Sequence, residues 1–150
     1  MKKELILRSE NETLSLGHRI ASAFSEGGFI ALYGELGTGK SVLARGIAEQ
    51  LGIDHISSPT FTILQRYDTD PAFIHIDAYR LTCADELYDI GYEDCLREKA
   101  IIAVEWADIV TEALPERRLD IRISGSGSEE RRTVLELSDG VLSEEQFLLL

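Results

Sequence analysis

Residues 34–41 read GELGTGKS, and Gly34, Gly39, Lys40 and Ser41 stand at the fixed places of G-x-x-x-x-G-K-[ST]. Each residue type has a chemical reason. Glycines let the backbone N–H groups of a loop converge on phosphate oxygens without Cβ clashes, forming an anion nest at a helix N-terminus. Lys40 adds a point charge for the β and γ phosphates, and the Ser41 hydroxyl offers one position to Mg²⁺. The expected nucleotide contacts therefore run through Gly34, Glu35, Leu36, Gly37, Thr38, Gly39, Lys40, Ser41 and Val42. The other common glycine-rich loop, G-x-G-x-x-G, has a different spacing and does not fit here.

Such a loop needs a carboxylate for Mg²⁺, usually at the end of a neighbouring strand. Asp77 closes FIHID and Glu105 closes AIIAVE. Asp77 is assigned to the metal and Glu105 to the attacking water, as positioning group or base; spacing alone leaves the reverse open. Lys40 and Glu105 are then the candidate catalytic pair. Thr60, in the proline-initiated SPT loop, would complete the metal shell as switch-loop threonines do. Trp106, the sole tryptophan, is placed near the nucleotide or a partner. His75 lies two residues before Asp77 and reads as a packed core histidine. Arg80 reads as a phosphate or partner contact, or as a surface ion pair. Guanine recognition of the N-K-x-D kind is missing, because Asn11 is the only asparagine. ATP is therefore the expected nucleotide. No arginine finger is evident in cis, so slow intrinsic hydrolysis is expected.

The elements that must hold these residues follow from pattern. Ser9 and Asn11 are candidate caps for a helix over roughly 12–25, with Leu14, Ile20, Ala21 and Phe24 on one face. GGFIALYG reads as a strand buried on both sides, and SVLARGIAEQLG as the following helix, closed by Gly52. A loop-to-strand segment over 58–68 comes next, then FIHID and AIIAVE as strands. ADELYDIG and YEDCLREK between them read as short helices or turns. RLDIRIS and RRTVLEL around SGSGSEE read as a hairpin, and SEEQFLLL as a short helix with a free apolar end. The order predicts an α/β fold of the P-loop NTPase kind, a mixed β-sheet flanked by helices in one compact domain over 1–150.

Composition narrows the function classes. With 44% apolar and 28% charged residues the chain is an ordinary globular one. FIALY and AIIAV, the longest apolar runs, fall far short of a membrane span, and MKKELILRSENE is not a secretory leader, so a cytoplasmic location without membrane contact is expected. Cys83 and Cys95 make neither a disulfide scaffold nor a zinc motif. A net charge of −12 argues against direct tight nucleic-acid binding, so any such role would run through a partner.

GELGTGKS, SPTFTI, HIDAYRL and VEWAD, in this order, resemble the TsaE (YjeE) family of bacterial P-loop ATPases. The resemblance runs from about Phe29 to Asp108. It implies weak, partner-activated ATPase activity with ATP and Mg²⁺. It also implies an accessory role beside the protein partners of the complex that transfers threonylcarbamoyl to tRNA adenosine. Residue by residue, it places Lys40 and Ser41 on phosphate and Mg²⁺, Thr60 and Asp77 on Mg²⁺, and Glu105 and Trp106 in hydrolysis or the nucleotide environment. Ala78 and Ala107 depart from the family's usual residues without touching a proposed ligand. A small-molecule kinase is the alternative, with Arg117, Arg118, Arg131 and Arg132 as its available cations. A non-hydrolysing, ATP-gated module is a third reading.

Overall fold

The computed structural model describes residues 1–56 and 63–150. All seven of its strands join one sheet in the order β1-β7-β6-β2-β5-β4-β3. These are β1 (Lys2–Leu7), β2 (Gly28–Tyr33), β3 (Leu64–Tyr67), β4 (Ala72–Asp77), β5 (Ala100–Glu105), β6 (Leu119–Ser124) and β7 (Arg131–Leu137). The inner four, β6, β2, β5 and β4, run parallel, while β7, β1 and β3 pair antiparallel at the flanks. The mixed α/β sheet expected from the patterning is the one observed.

Parallel strands buried on both faces need apolar side chains on both. In β2, Ile30 and Leu32 face one layer and Phe29 and Ala31 the other. The first layer holds α1 (Glu10–Ala23) and α2 (Lys40–Gln50), which contribute Leu16, Ile20, Leu43 and Ile47 to the core. The second holds α3 (Asp85–Tyr88), α4 (Tyr92–Leu96) and a 3₁₀ segment at Ala107–Ala113, burying Leu87, Tyr92 and Val110. Burial raises the Tyr92 phenol well above its usual range, and its hydroxyl donates to the Ala113 carbonyl at 2.9 Å.

Several local expectations change. Ser9, not Asn11, caps α1, its hydroxyl accepting the Glu12 N–H at 3.1 Å, so the helix starts earlier than the apolar face indicated. The N-terminal KKELIL is an edge strand, fastened to β7 and by the pair Arg132–Glu4. Its isolated pattern carries no turn signal, and only the pairing with β7 makes it a strand. The terminal helix α5 (Glu144–Leu148) has a capping box at Ser143 and Gln146. Its apolar end is not wholly free: Phe147 and Leu150 enter the core, while Leu148 and Leu149 stay exposed.

The crossing of α1 and α2 is tight because both helices present a glycine. A Cβ on Gly46 would lie 2.5 Å from the Leu14 carbonyl oxygen, and one on Gly17 would lie 2.6 Å from that of Leu43. Both obstacles are backbone, which no side-chain rotation relieves. We expect Gly46→Ala to lower stability by about 1–3 kcal/mol through overpacking, despite the ~1 kcal/mol that alanine gains over glycine in a helix. Urea unfolding of the variant checks this; an unchanged midpoint would mean that the helices separate without cost.

Candidate functional site

The site forms where the inner strands end, as expected for parallel sheets, whose ligands gather beyond the carboxyl ends of the strands. β2 runs directly into the loop 34–39, and α2 begins at Lys40. Gly34 is required by close approach: a Cβ there would meet the Ile123 carbonyl oxygen at 2.6 Å and Thr38 Oγ1 at 2.8 Å. Gly39 is required by conformation, since it turns the chain into α2 at φ 108°. It also leaves α2 without a side-chain cap, so the first N–H groups of the helix stay open to an anion. Thr38 is buried, and its hydroxyl donates to the Glu35 carbonyl at 3.0 Å. Leu36 stands exposed at the loop's tip, and Val42 faces a cavity described below.

Lys40 is only 5% exposed. Its ammonium donates to the Gly34 and Glu35 carbonyls at 2.6 and 2.8 Å and lies 4.3 Å from the centre of the Trp106 ring. Burial lowers its pKa, against the opposing pull of Glu105, Asp77, Glu35 and Asp108. Trp106 reaches this position through a left-handed backbone, φ 58°, the only positive φ outside glycine among the described residues. Such a conformation costs about 1–2 kcal/mol and aims the indole back at the loop. Tyr79 also packs against Trp106, tilted, with ring centres 5.0 Å apart.

Asp77 and Glu105 are register partners at the ends of β4 and β5. Ser41 Oγ donates to Glu105 Oε1 at 3.0 Å, and Glu105 Oε2 lies 2.6 Å from His75 Nε2. An ionised carboxylate only accepts, so the histidine N–H donates. Asp77 Oδ1 accepts the Tyr79 N–H at 3.0 Å. Desolvation raises the Asp77 pKa above the ordinary carboxylate value, and the Glu105 charge adds to it, against the Tyr79 N–H, His75 and Lys40. The structure thus gathers Lys40, Ser41, Asp77, Glu105 and Trp106, while Thr60 lies outside the described residues. Ser41 turns to Glu105 rather than Asp77, which gives the reversed division of roles the geometric support. His75 is buried, as a core histidine should be, but its partner belongs to the site; FIHID carries no local signal of that bond. Arg131, named above only as a cation for the kinase alternative, instead serves the loop: its Nε–H donates to the Thr38 carbonyl at 2.9 Å and braces the loop from the β6–β7 hairpin.

No three His, Cys, Asp or Glu side chains gather as a self-sufficient cage among the described residues. Mg²⁺ does not require one, since it is held by one or two carboxylates together with substrate phosphates. Ser41, Glu105 and Asp77 beside an uncapped helix start fit that pattern. Cavities open at both ends of the loop. One, of about 290 Å³, is lined by Ser9, Thr13, Gly37, Gly39, Val42 and Arg131. The other, of about 440 Å³, lies against Gly34, Glu35, Trp106, Asp108 and Arg122. The Arg122 guanidinium stacks there 4.4 Å from the centre of the Tyr33 ring.

Comparison with known proteins finds relatives along most of the chain. The model of the family described as threonylcarbamoyl adenosine biosynthesis protein TsaE matches residues 7–134. The tRNA threonylcarbamoyladenosine biosynthesis protein TsaE of Bacillus subtilis (strain 168) is 38% identical over 133 residues, covering 86% of this chain and 83% of that protein. Its namesake in Treponema pallidum (strain Nichols) is 34% identical over 128 residues, covering 83% of this chain and 95% of the relative. The crystal structure of Bacillus subtilis YdiB superposes with a TM-score of 0.77 at 29% identity, over 99% of this chain and 91% of the other. No helix among the described residues is long and apolar enough to cross a membrane.

Two outcomes are expected. Lys40→Ala removes the buried charge and should weaken triphosphate binding strongly while leaving the fold intact; calorimetry showing unchanged affinity would remove the loop from the nucleotide site. Because the only tryptophan lies against Lys40, adding Mg²⁺ and ATP should change the intrinsic fluorescence of the native protein and not of Lys40→Ala.

Proposed function

The chain belongs to the TsaE family, and on that premise we propose that it is a Mg²⁺-dependent ATPase serving the assembly that installs threonylcarbamoyl on tRNA adenosine. The observation that carries the reading is the convergence of Lys40, Ser41 and Glu105 at the open start of α2. The names of the relatives supply the pathway. The small-molecule kinase reading has no observation of its own: Arg118 is tied to Asp120 at 2.8 Å, and Arg132 to Glu4 at 2.7 Å.

In this reading the loop N–H groups and Lys40 hold the phosphates, with the terminal phosphate toward Trp106 and the nucleoside toward the Ser9–Val42 cavity. Ser41 and Glu105 would hold Mg²⁺, and Asp77 beside them would orient the attacking water. When bound, Mg²⁺ neutralises charge on the β and γ oxygens. Trp106 screens Lys40 from solvent and strengthens its field on the phosphates. The acidic chain leaves tRNA to the partner proteins, and the single domain works in the cytoplasm as their accessory.

The test is ATP hydrolysis by the protein alone and with the purified threonylcarbamoyl transferase complex, using Lys40→Ala as the blank. Slow turnover that rises with the partners is the expected result. Phosphate transferred to an added metabolite, with no response to the partners, would replace this reading with a kinase. Glu105→Ala should lose Mg²⁺-dependent affinity, whereas Asp77→Ala should keep more affinity and lose turnover. The opposite pattern would return the metal to Asp77.

A further inference from the structure

The Glu105 carboxylate is a buried group whose two oxygens have separate partners. It is 2% exposed, and His75 beside it is 4% exposed. Oε1 accepts from Ser41 in the phosphate loop, and Oε2 accepts from His75 on the neighbouring strand. We propose that His75 is a positioning residue for Glu105, holding Oε2 so that Oε1 alone is presented to Ser41 and the metal. This rests on the ATPase reading above.

Three features of the chain support the role. The His75 ring is itself held, lying 6.1 Å from the Phe73 ring centre and within 9° of parallel to it. Its strand position is one side-chain step before Asp77, the register partner of Glu105, so the imidazole approaches the carboxylate from inside the sheet layer. A 2.6 Å bond to an ionised acceptor belongs to the strong, charge-assisted class. Without the histidine, Oε2 would be a buried acceptor lacking a partner, and the carboxylate would rotate toward Lys40 or Ser41 to satisfy it. A carboxylate with one oxygen already taken offers the metal a single ligand atom in a constant direction. That constancy suits the near-octahedral demand of Mg²⁺.

The experiment reads the metal without relying on turnover. Mg²⁺ is titrated into the ATP-bound full chain with Trp106 fluorescence as the signal, for native protein, His75→Phe and His75→Gln. Phenylalanine keeps the volume and removes the donor; glutamine restores an N–H near the Nε2 position. His75→Phe should raise the half-saturating Mg²⁺ concentration by roughly 10- to 100-fold. His75→Gln should recover most of that loss, with affinity for ATP in the absence of Mg²⁺ unchanged in both. In parallel, a downfield Nε2–H resonance of His75 should be present in native protein and absent in Glu105→Ala. A folded His75→Phe with the native Mg²⁺ midpoint overturns the proposal, as does His75→Gln failing as badly as His75→Phe. If His75→Phe does not fold, the glutamine variant and the resonance decide the question. A native protein whose fluorescence ignores Mg²⁺ and ATP overturns the ATPase reading itself, a result distinct from either His75 outcome.

Discussion

The burial of the Lys40 ammonium is the constraint around which the site is arranged. A buried charge without partners is prohibitively unfavourable, and here the partners come from separate parts of the chain. Two loop carbonyls accept its hydrogen bonds, the Trp106 ring lies beside it, and four carboxylates supply the opposing field. Each demand fixes a segment. The carbonyls require the loop to fold back over the start of α2, and the indole requires the left-handed turn after β5. The carboxylates require β4 and β5 to end level with each other.

That levelness comes from the parallel core. Pairing Asp77 with Glu105 places two carboxylates side by side, a repulsive arrangement unless cations intervene. Among the described residues, the Lys40 ammonium lies nearby and the His75 N–H donates to Glu105, and a divalent ion would add further positive charge. Desolvation raises the Asp77 pKa, and the neighbouring Glu105 charge raises it further. Ser41 donates to Glu105 and so gives the buried carboxylate a second hydrogen bond.

Much of this was legible in the sequence, for reasons that differ by residue. GELGTGKS is a local motif, and a loop that must fit phosphates tolerates few substitutions, so Gly34, Gly39, Lys40 and Ser41 could be read directly. Asp77 and Glu105 were readable as carboxylates at strand ends, because apolar runs terminated by acids recur in parallel sheets. Their division of labour was not readable: it depends on which oxygen Ser41 reaches, a contact across 64 positions of chain. The His75 bond spans 30 positions, and the brace from Arg131 spans 93. Strand β1 lacked a signal because its pairing with β7 joins opposite ends of the chain. Trp106 could be placed near the site, but its positive φ is dictated by the ring's destination, not by any preference of tryptophan.

The net charge of −12 bears on how such a protein binds a polyanion at all. Its mean field repels a triphosphate, so binding must rest on groups that act at contact distance. The loop and the adjoining strand ends offer them: uncapped helix N–H groups, an ammonium beside an indole, and two carboxylates that on the proposed reading would hold Mg²⁺. Low dielectric strengthens all three locally, while the acidic exterior acts only through screened solvent. On the proposed ATPase reading, local attraction inside global repulsion would also favour release, because a departing phosphate or ADP that clears the loop would meet a surface of its own sign. On the same reading, an accessory that must let go of its nucleotide and leave tRNA to its partners would be served by this distribution of charge, and a protein holding RNA directly would not be.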